Sequence, residues 1–125
     1  MKSAYRSTFP EDHASIVEVE RGTPMGELLR RYWQPVCLSD EITNLPLKVR
    51  IMCEDLVLFR DGRGIVGCLD PHCAHRGTSL EYGRIEEQGI RCCYHGWLYD
   101  TQGHCIEMAC ETEEICAQMN VWQPS

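Results

Sequence analysis

From residue 23 onward the hydrophobic positions of the chain change period. Met25, Leu28, Leu29 and Tyr32 fall at i, i+3, i+4 and i+7, one face of a helix, behind a capping Thr23 and with Pro24 at the first helical position. Pro35 stops that helix. Gly26 within it costs about 1 kcal/mol of propensity relative to alanine, so the helix is short and needs a surface to dock on. The period then becomes two, with Leu47, Val49, Ile51 and Cys53 alternating with Lys48, Arg50 and Met52. "LVLFR", "DGRG" and "IVGCLD" follow as strand, tight turn and strand, a hairpin. Further short strands are predicted at 83–86, 90–93, 97–100 and 104–108, joined by "EEQG" and "TQG" turns. Strands so closely spaced, without helices between them, form antiparallel sheets. The expected fold class is therefore mainly β, small antiparallel sheets with a short N-terminal helix. Residues 1–15 are polar, with no sustained period, and read as a flexible arm before a single domain over 16–125.

Length and charge narrow the partners. At 125 residues there is room for about one ordinary domain, which must carry whatever chemistry exists. The net charge of −7, from 12 Lys+Arg against 19 Asp+Glu, comes with no basic run, so nucleic acid is not an expected partner. The longest uninterrupted apolar segment, "LVLF" from Leu56 to Phe59, is far short of the roughly 20 residues of a membrane span. The N-terminus has no apolar core of signal-peptide type, and the Arg30-Arg31 pair sits inside the helical pattern. A cytoplasmic, reducing location is expected. Nine cysteines, an odd number, there read as packing plus metal or redox use in place of a disulfide framework.

Residues 71–100 concentrate the candidate chemistry, holding three of the nine cysteines and three of the five histidines. Cys73-x-His75 is followed, after 16 residues, by Cys92-x-x-His95. The two pairs fall in hairpin loops, where a rigid scaffold can present them. Two thiolates and two imidazoles, one of each per loop, are the ligand set of a Rieske [2Fe–2S] centre. Soft anionic thiolates suit one iron, while neutral imidazoles donate less negative charge to the second and make reduction easier. Glycines at 77, 83 and 96 allow positive φ and close backbone approach around such a group. A zinc ion is the main metal alternative, although zinc modules space ligands as C-x₂₋₄-C and H-x₃₋₅-H, and a Cys-x-His step is unusual there. A redox dithiol would want Cys-x-x-Cys, which the chain lacks, and no nucleophile elbow accompanies a Cys/His hydrolase reading.

"CAHRGTSL…GRI…GIRCCYHGWLYD" resembles the Rieske domain of the non-heme iron, aromatic-ring-hydroxylating oxygenases. Upstream, "GTPMGELLRRYWQPVCLSDEI" is similar to the opening of the phthalate dioxygenase and vanillate O-demethylase-like branch, so the resemblance covers roughly residues 15 to 125. It implies the Rieske fold with two cluster-binding hairpin loops, and Cys73, His75, Cys92 and His95 as cluster ligands. It also implies that Arg76, Tyr94, Gly96 and Trp97 shape and pack those loops. Cys93 falls at a non-ligand position. Thr78 and Tyr94 stand where respiratory Rieske proteins carry a bridging cysteine pair, and Trp97 stands where they carry a serine that hydrogen-bonds cluster sulfur. Fewer hydrogen bonds to sulfur predict a potential toward the low end of the roughly −150 to +300 mV range.

Other residues have plainer expectations. Cys37, Cys53, Cys68, Cys105, Cys110 and Cys116 are read as packing or incidental residues, and His13, His72 and His104 as non-ligands. "CETEEIC" lacks the pattern of a calcium loop.

Oxygenases of the resembled family carry a second domain with a mononuclear iron held by two His and one carboxylate. After His95 only His104 remains, so no such set follows the loops, and no catalytic residue is assigned. The chain is expected to lack that domain and the final strands of its own, leaving a sheet edge uncovered. The resemblance thus implies an electron-transfer module. Its donor would be an NAD(P)H-dependent reductase or ferredoxin, and its acceptor an oxygenase catalytic domain or neighbouring subunit. The alternative is a free-standing Rieske-type ferredoxin.

Overall fold

The computed structural model describes residues 14–109 and 112–124. His13, Cys110 and most of the expected N-terminal arm lie outside the described residues. The chain divides into two compact units, residues up to 35 with 52–54, and 36–51 with the remainder from 55.

In the first unit, α1 spans Ala14–Val17 and α2 spans Pro24–Leu29. Thr23 caps α2 as the sequence predicts: its hydroxyl oxygen accepts from the Gly26 N–H at 3.2 Å and its hydroxyl donates to the carbonyls of Glu18 or Glu20. The helix ends sooner than its pattern. Arg31 and Tyr32 donate to the carbonyls of Leu28 and Leu29, a tightened last turn, and Tyr32 is exposed. Gly26 is buried where a Cβ would meet the Thr23 hydroxyl and the carbonyls of Val19 and Glu20, which is why a poor helix former stands there. Arg30 ties the unit together, donating to the carbonyls of Val19, Gly26 and Met52 and to Glu54. A hydrogen bond from Arg21 outweighs burial and holds the Glu54 carboxyl below its ordinary range, with Arg30 adding to the effect.

The second unit is built on two sheets. β1 (Leu47–Ile51), β2 (Glu54–Arg60) and β3 (Val66–Leu69) lie in that order, with β2 and β3 antiparallel from Val57 opposite Leu69 to Arg60 opposite Val66. β4 (Arg84–Glu86), β5 (Gly89–Arg91), β6 (Leu98–Tyr99) and β7 (Cys105–Glu107) form an antiparallel four-stranded sheet in chain order. "LVLF" is buried at all four positions, as befits the central strand of its sheet. Val57, Phe59, Leu69, Leu80, Ile90 and Tyr99 are fully buried and define the core. In the "DGRG" turn, the buried Asp61 carboxylate accepts from the Arg63 and Ile65 N–H groups and from the Arg63 guanidinium.

Two details depart from expectation. Met52 and Cys53 have φ of +47° and +63° and make the two-residue connection from β1 to β2, so Cys53 is exposed in a turn and does not pack in a strand. A type I′ connection between twisted strands puts both of its residues in the left-handed region, usually Asn-Gly, and Met-Cys carries no such signal. The sheet edge also gains cover from within the chain. After α3 (Glu113–Cys116), the Met119 carbonyl accepts from Cys105 N–H, Val121 N–H donates to Gly103, and the Trp122 carbonyl accepts from Asp70 N–H. Residues 119–122 therefore run beside β7 and reach the end of β3.

A chain of ion pairs crosses the four-stranded sheet. Arg84 and Arg91 both donate to Glu86, whose carboxyl they hold down at about 2, and Arg91 also pairs with Glu107. Because the folded-state value lies below the unfolded one, this stabilisation is complete above about pH 4.5 and disappears as pH falls toward about 2. Glu86→Gln is expected to cost about 1 kcal/mol at neutral pH. In thermal melts from pH 7 to 2, the gap between the variant and the parent closes in that window.

Candidate metal centre

The four predicted ligands sit on two loops of the same length and closure. In residues 73–78, Cys73 N–H donates to the Thr78 carbonyl at 3.0 Å and Gly77 N–H to the Cys73 carbonyl at 2.8 Å. In residues 92–97, Cys92 N–H donates to the Trp97 carbonyl at 2.9 Å and Gly96 N–H to the Cys92 carbonyl at 3.2 Å. Each loop begins with its cysteine and turns at a glycine in the fifth position, with φ of +72° at Gly77 and +75° at Gly96. These are backbone angles that a side chain resists. Gly83 has an ordinary φ but lies where a Cβ would press on the Arg91 and Leu80 carbonyls. Within this common frame the histidine is third in one loop and fourth in the other, which is the structural meaning of Cys-x-His against Cys-x-x-His.

The frame sorts the ligands by depth. Cys73 and Cys92 are buried, His75 is half-buried and His95 is exposed. The imidazoles of His75 and His95 meet edge to face with centroids 4.4 Å apart. Trp97 stacks on His75 at 4.6 Å and 20°, and Tyr94 lies edge-on to His95 at 3.9 Å. Arg76 is exposed, and its charge acts on His95. Desolvation, then the His75 and Arg76 charges, keep the His95 imidazole below its ordinary value, favouring the neutral form with a free lone pair. Burial pushes the Cys92 thiol up, while hydrogen bonds from the Tyr94 and His95 N–H groups to its sulfur act in the opposite sense. Those N–H groups favour the thiolate that a metal would take.

The donor set fits a [2Fe–2S] group. The Nδ1 atom of His75 is buried without a hydrogen-bond partner, a deficit of about 1–3 kcal/mol unless something binds there. A metal ion accepting that lone pair removes it.

Tyr99 is a residue the sequence reading passed over. It is fully buried, 3.1 Å from the Cys73 sulfur through its hydroxyl oxygen, which also accepts from the Ala74 N–H at 3.1 Å. Burial, then the neighbouring Cys73 sulfur, push its phenol far above the ordinary value, so the hydroxyl keeps its proton and can donate to sulfur. The clue lay in spacing: Tyr99 stands two residues beyond Trp97, on the inward face of β6.

The remaining candidates are dispersed. Cys93 is exposed beside Cys92. His72 is engaged by Asp70 at 2.8 Å, and His104 by Asp100 at 3.1 Å. Cys105 and Cys116 are buried, the latter donating to the Cys105 carbonyl, and burial then Cys116 push the Cys105 thiol up to about 12. That is the behaviour of inert packing cysteines. Cys37 and Cys68 are half-buried, Cys68 within β3 and Cys37 outside any strand.

Tyr99→Phe is expected to lower stability by about 1–2 kcal/mol, because the Ala74 N–H and the Cys73 sulfur both lose a partner. Urea unfolding of the metal-free protein measures this.

Known proteins resemble this chain in sequence and fold. Residues 32–121 match the family model described as the Rieske [2Fe-2S] domain. The phenoxybenzoate dioxygenase subunit alpha of Ectopseudomonas oleovorans is 56% identical over 111 residues, 89% of this chain and 27% of its own length. The phthalate 4,5-dioxygenase oxygenase subunit of Pseudomonas putida is 47% identical over 105 residues, 82% of this chain and 24% of its own. The crystal structure of dicamba monooxygenase bound to dicamba superposes with a TM-score of 0.67 at 28% identity, covering 75% of this chain and 30% of that one. The chain thus spans about a quarter of the length of the curated relatives it matches. Matched over most of its residues, and with the two loops and seven short strands described above, the chain belongs to the Rieske [2Fe–2S] domain family, which binds a Rieske-type cluster.

Proposed function

We propose that this chain is the electron-entry module of a ring-hydroxylating or O-demethylating non-heme iron oxygenase, with Cys73 and Cys92 holding one iron of its cluster and His75 and His95 the other. The observation that carries the reading is that two loops alike in closure bring the His75 and His95 imidazoles edge to face at 4.4 Å, with Cys73 and Cys92 buried at the loop bases and the His75 Nδ1 atom buried and unpartnered. When bound, such a cluster supplies a one-electron couple at a potential raised by imidazole ligation.

The chain's own residues bury the thiols away from water and hold His75 between Trp97 and His95. They leave the His95 edge, with Tyr94 and Arg76, at the surface, where a partner can approach within electron-transfer distance. The donor is an NAD(P)H-dependent reductase or a ferredoxin, and the acceptor a mononuclear iron in a catalytic domain or neighbouring subunit. The setting is the cytoplasm. Among the described residues no helix is long and apolar enough to cross a membrane. Residues 16–125 serve as the cluster domain, behind an arm at 1–15. Similarity to oxygenase subunits at 47% and 56% identity supports this role over that of a free-standing ferredoxin.

Protein reconstituted anaerobically with iron and sulfide and reduced with dithionite is expected to give the electron paramagnetic resonance spectrum of a Rieske cluster. Cys73→Ser should lose most of the bound iron and sulfide, whereas His75→Cys keeps a cluster of lower potential and altered spectrum. Normal iron and sulfide content in Cys73→Ser would sink the ligand assignment.

The Tyr99 hydroxyl donates to a sulfur that becomes more negative on reduction, and therefore favours the reduced state. Tyr99→Phe should reduce the equilibrium constant for reduction up to tenfold, about 59 mV for a one-electron couple, in a redox titration. The parent midpoint is expected below about +100 mV, in the lower part of the family range.

A further inference from the structure

Arg91 directly precedes the second loop, and its side chain fans out to three parts of the second unit. Its Nε and Nη2 donate to Glu86 of β4 at 2.7 and 2.8 Å, and its Nη2 and Nη1 to Glu107 of β7 at 2.9 and 3.3 Å. Arg84, Arg91, Leu98 and Glu107 form one row across the four strands. If tying strands together were its whole role, the two carboxylates would account for it. Its shortest hydrogen bond, however, is a third kind of contact: Nη1 donates at 2.6 Å to the backbone carbonyl of Gly96.

That carbonyl belongs to the residue after His95. The Gly96 N–H is already fixed by the Cys92 carbonyl, so the peptide units on both sides of Gly96 are held, one from within the loop and one by a guanidinium outside it. In a planar trans peptide the C=O and N–H point in opposite directions, so anchoring the Gly96 carbonyl also sets where the Trp97 N–H points. Gly96 needs such help because glycine at positive φ has no Cβ to limit its alternatives. The first loop has the same turn at Gly77, yet among the described residues no side chain is bonded to the Gly77 carbonyl. Arg91 is itself four-fifths buried and braced on both flanks, which makes it a stiff anchor in a way a solvated arginine is not.

Resting on the cluster reading above, we propose that Arg91 is a positioning residue of the electron-transfer site: it fastens the Gly96 carbonyl to the Glu86 and Glu107 bridge and thereby sets the orientation of the His95 imidazole and the Trp97 amide. Arginine is required for this, because only its planar fork reaches two carboxylates and a carbonyl at once. Lysine would keep the charge and lose the geometry.

Arg84 supplies the control, since it donates to the same Glu86 carboxylate, is largely exposed and, among the described residues, its side chain makes no hydrogen bond to the loop. Arg91→Lys, Arg91→Met and Arg84→Met are compared with the parent after anaerobic reconstitution with iron and sulfide. The readouts are iron and sulfide content, the electron paramagnetic resonance spectrum of the reduced state and the midpoint potential. Both Arg91 variants are expected to bind the cluster with altered g-values, and with the reduction equilibrium constant changed at least threefold. Arg84→Met should keep the parent spectrum and potential. Arg91→Lys is the decisive variant, because it conserves the positive charge and is the less disruptive to folding. If its spectrum and potential coincide with those of the parent or of Arg84→Met, Arg91 only ties strands together and the inference is overturned. If the parent itself yields no Rieske spectrum, the functional reading falls, and the inference with it.

Discussion

Everything at the candidate centre depends on one backbone constraint, stated twice: a six-residue loop whose first residue both donates to the carbonyl of its sixth and accepts from the N–H of its fifth. Those two bonds place a cysteine at the buried base of each loop and a histidine toward its tip. The fifth residue must adopt positive φ for the loop to close, and both loops supply glycine there. Soft donors are thereby set inside and imidazoles outside without any side chain having to reach across the molecule. The asymmetry between the loops is a one-residue difference in where the histidine sits.

Around that constraint the fold supplies support from different distances. Tyr99 connects the core to the base of the first loop through its hydroxyl, touching both the Cys73 sulfur and the Ala74 N–H. Trp97 covers His75 from the second loop, so each loop completes the surroundings of the other. Arg91 reaches the second loop from the sheet and is steadied by carboxylates on β4 and β7. The short strands are thus less a core in their own right than a platform that fixes the ends of the loops. The buried residues Val57, Phe59, Leu69, Leu80 and Ile90 make that platform rigid.

How readily each feature can be read from the chain follows from how local its cause is. The α2 cap, the "DGRG" hairpin and the strand positions rest on neighbouring residues, and the structure has them within a few positions of the pattern. The Met52-Cys53 turn was missed because the residues that fill it are chosen by the strands they connect and not by their own preference. Residues 119–122 were not expected to pair with 103–105, since nothing within a loop of that kind announces its distant partner. At the centre, nothing in the sequence marks Tyr99 as a partner of Cys73, because the sulfur it meets lies 26 positions away. Arg91 is equally unmarked, since the carboxylates and the carbonyl it joins come from separate strands and a loop.

What the sequence by itself determined is the chemistry: two Cys/His pairs at a telling separation, glycines where the loops must turn, and a β-rich scaffold to hold them. Residue type and short-range spacing are sufficient for this, because ligand identity and local backbone preference are properties of a few adjacent residues. Only the tertiary structure decided which groups surround those pairs: a phenol against the sulfur, an indole on one imidazole, a guanidinium fastened to a loop carbonyl. These contacts join residues far apart in the chain, and their existence depends on how the two sheets and the returning segment close around one another.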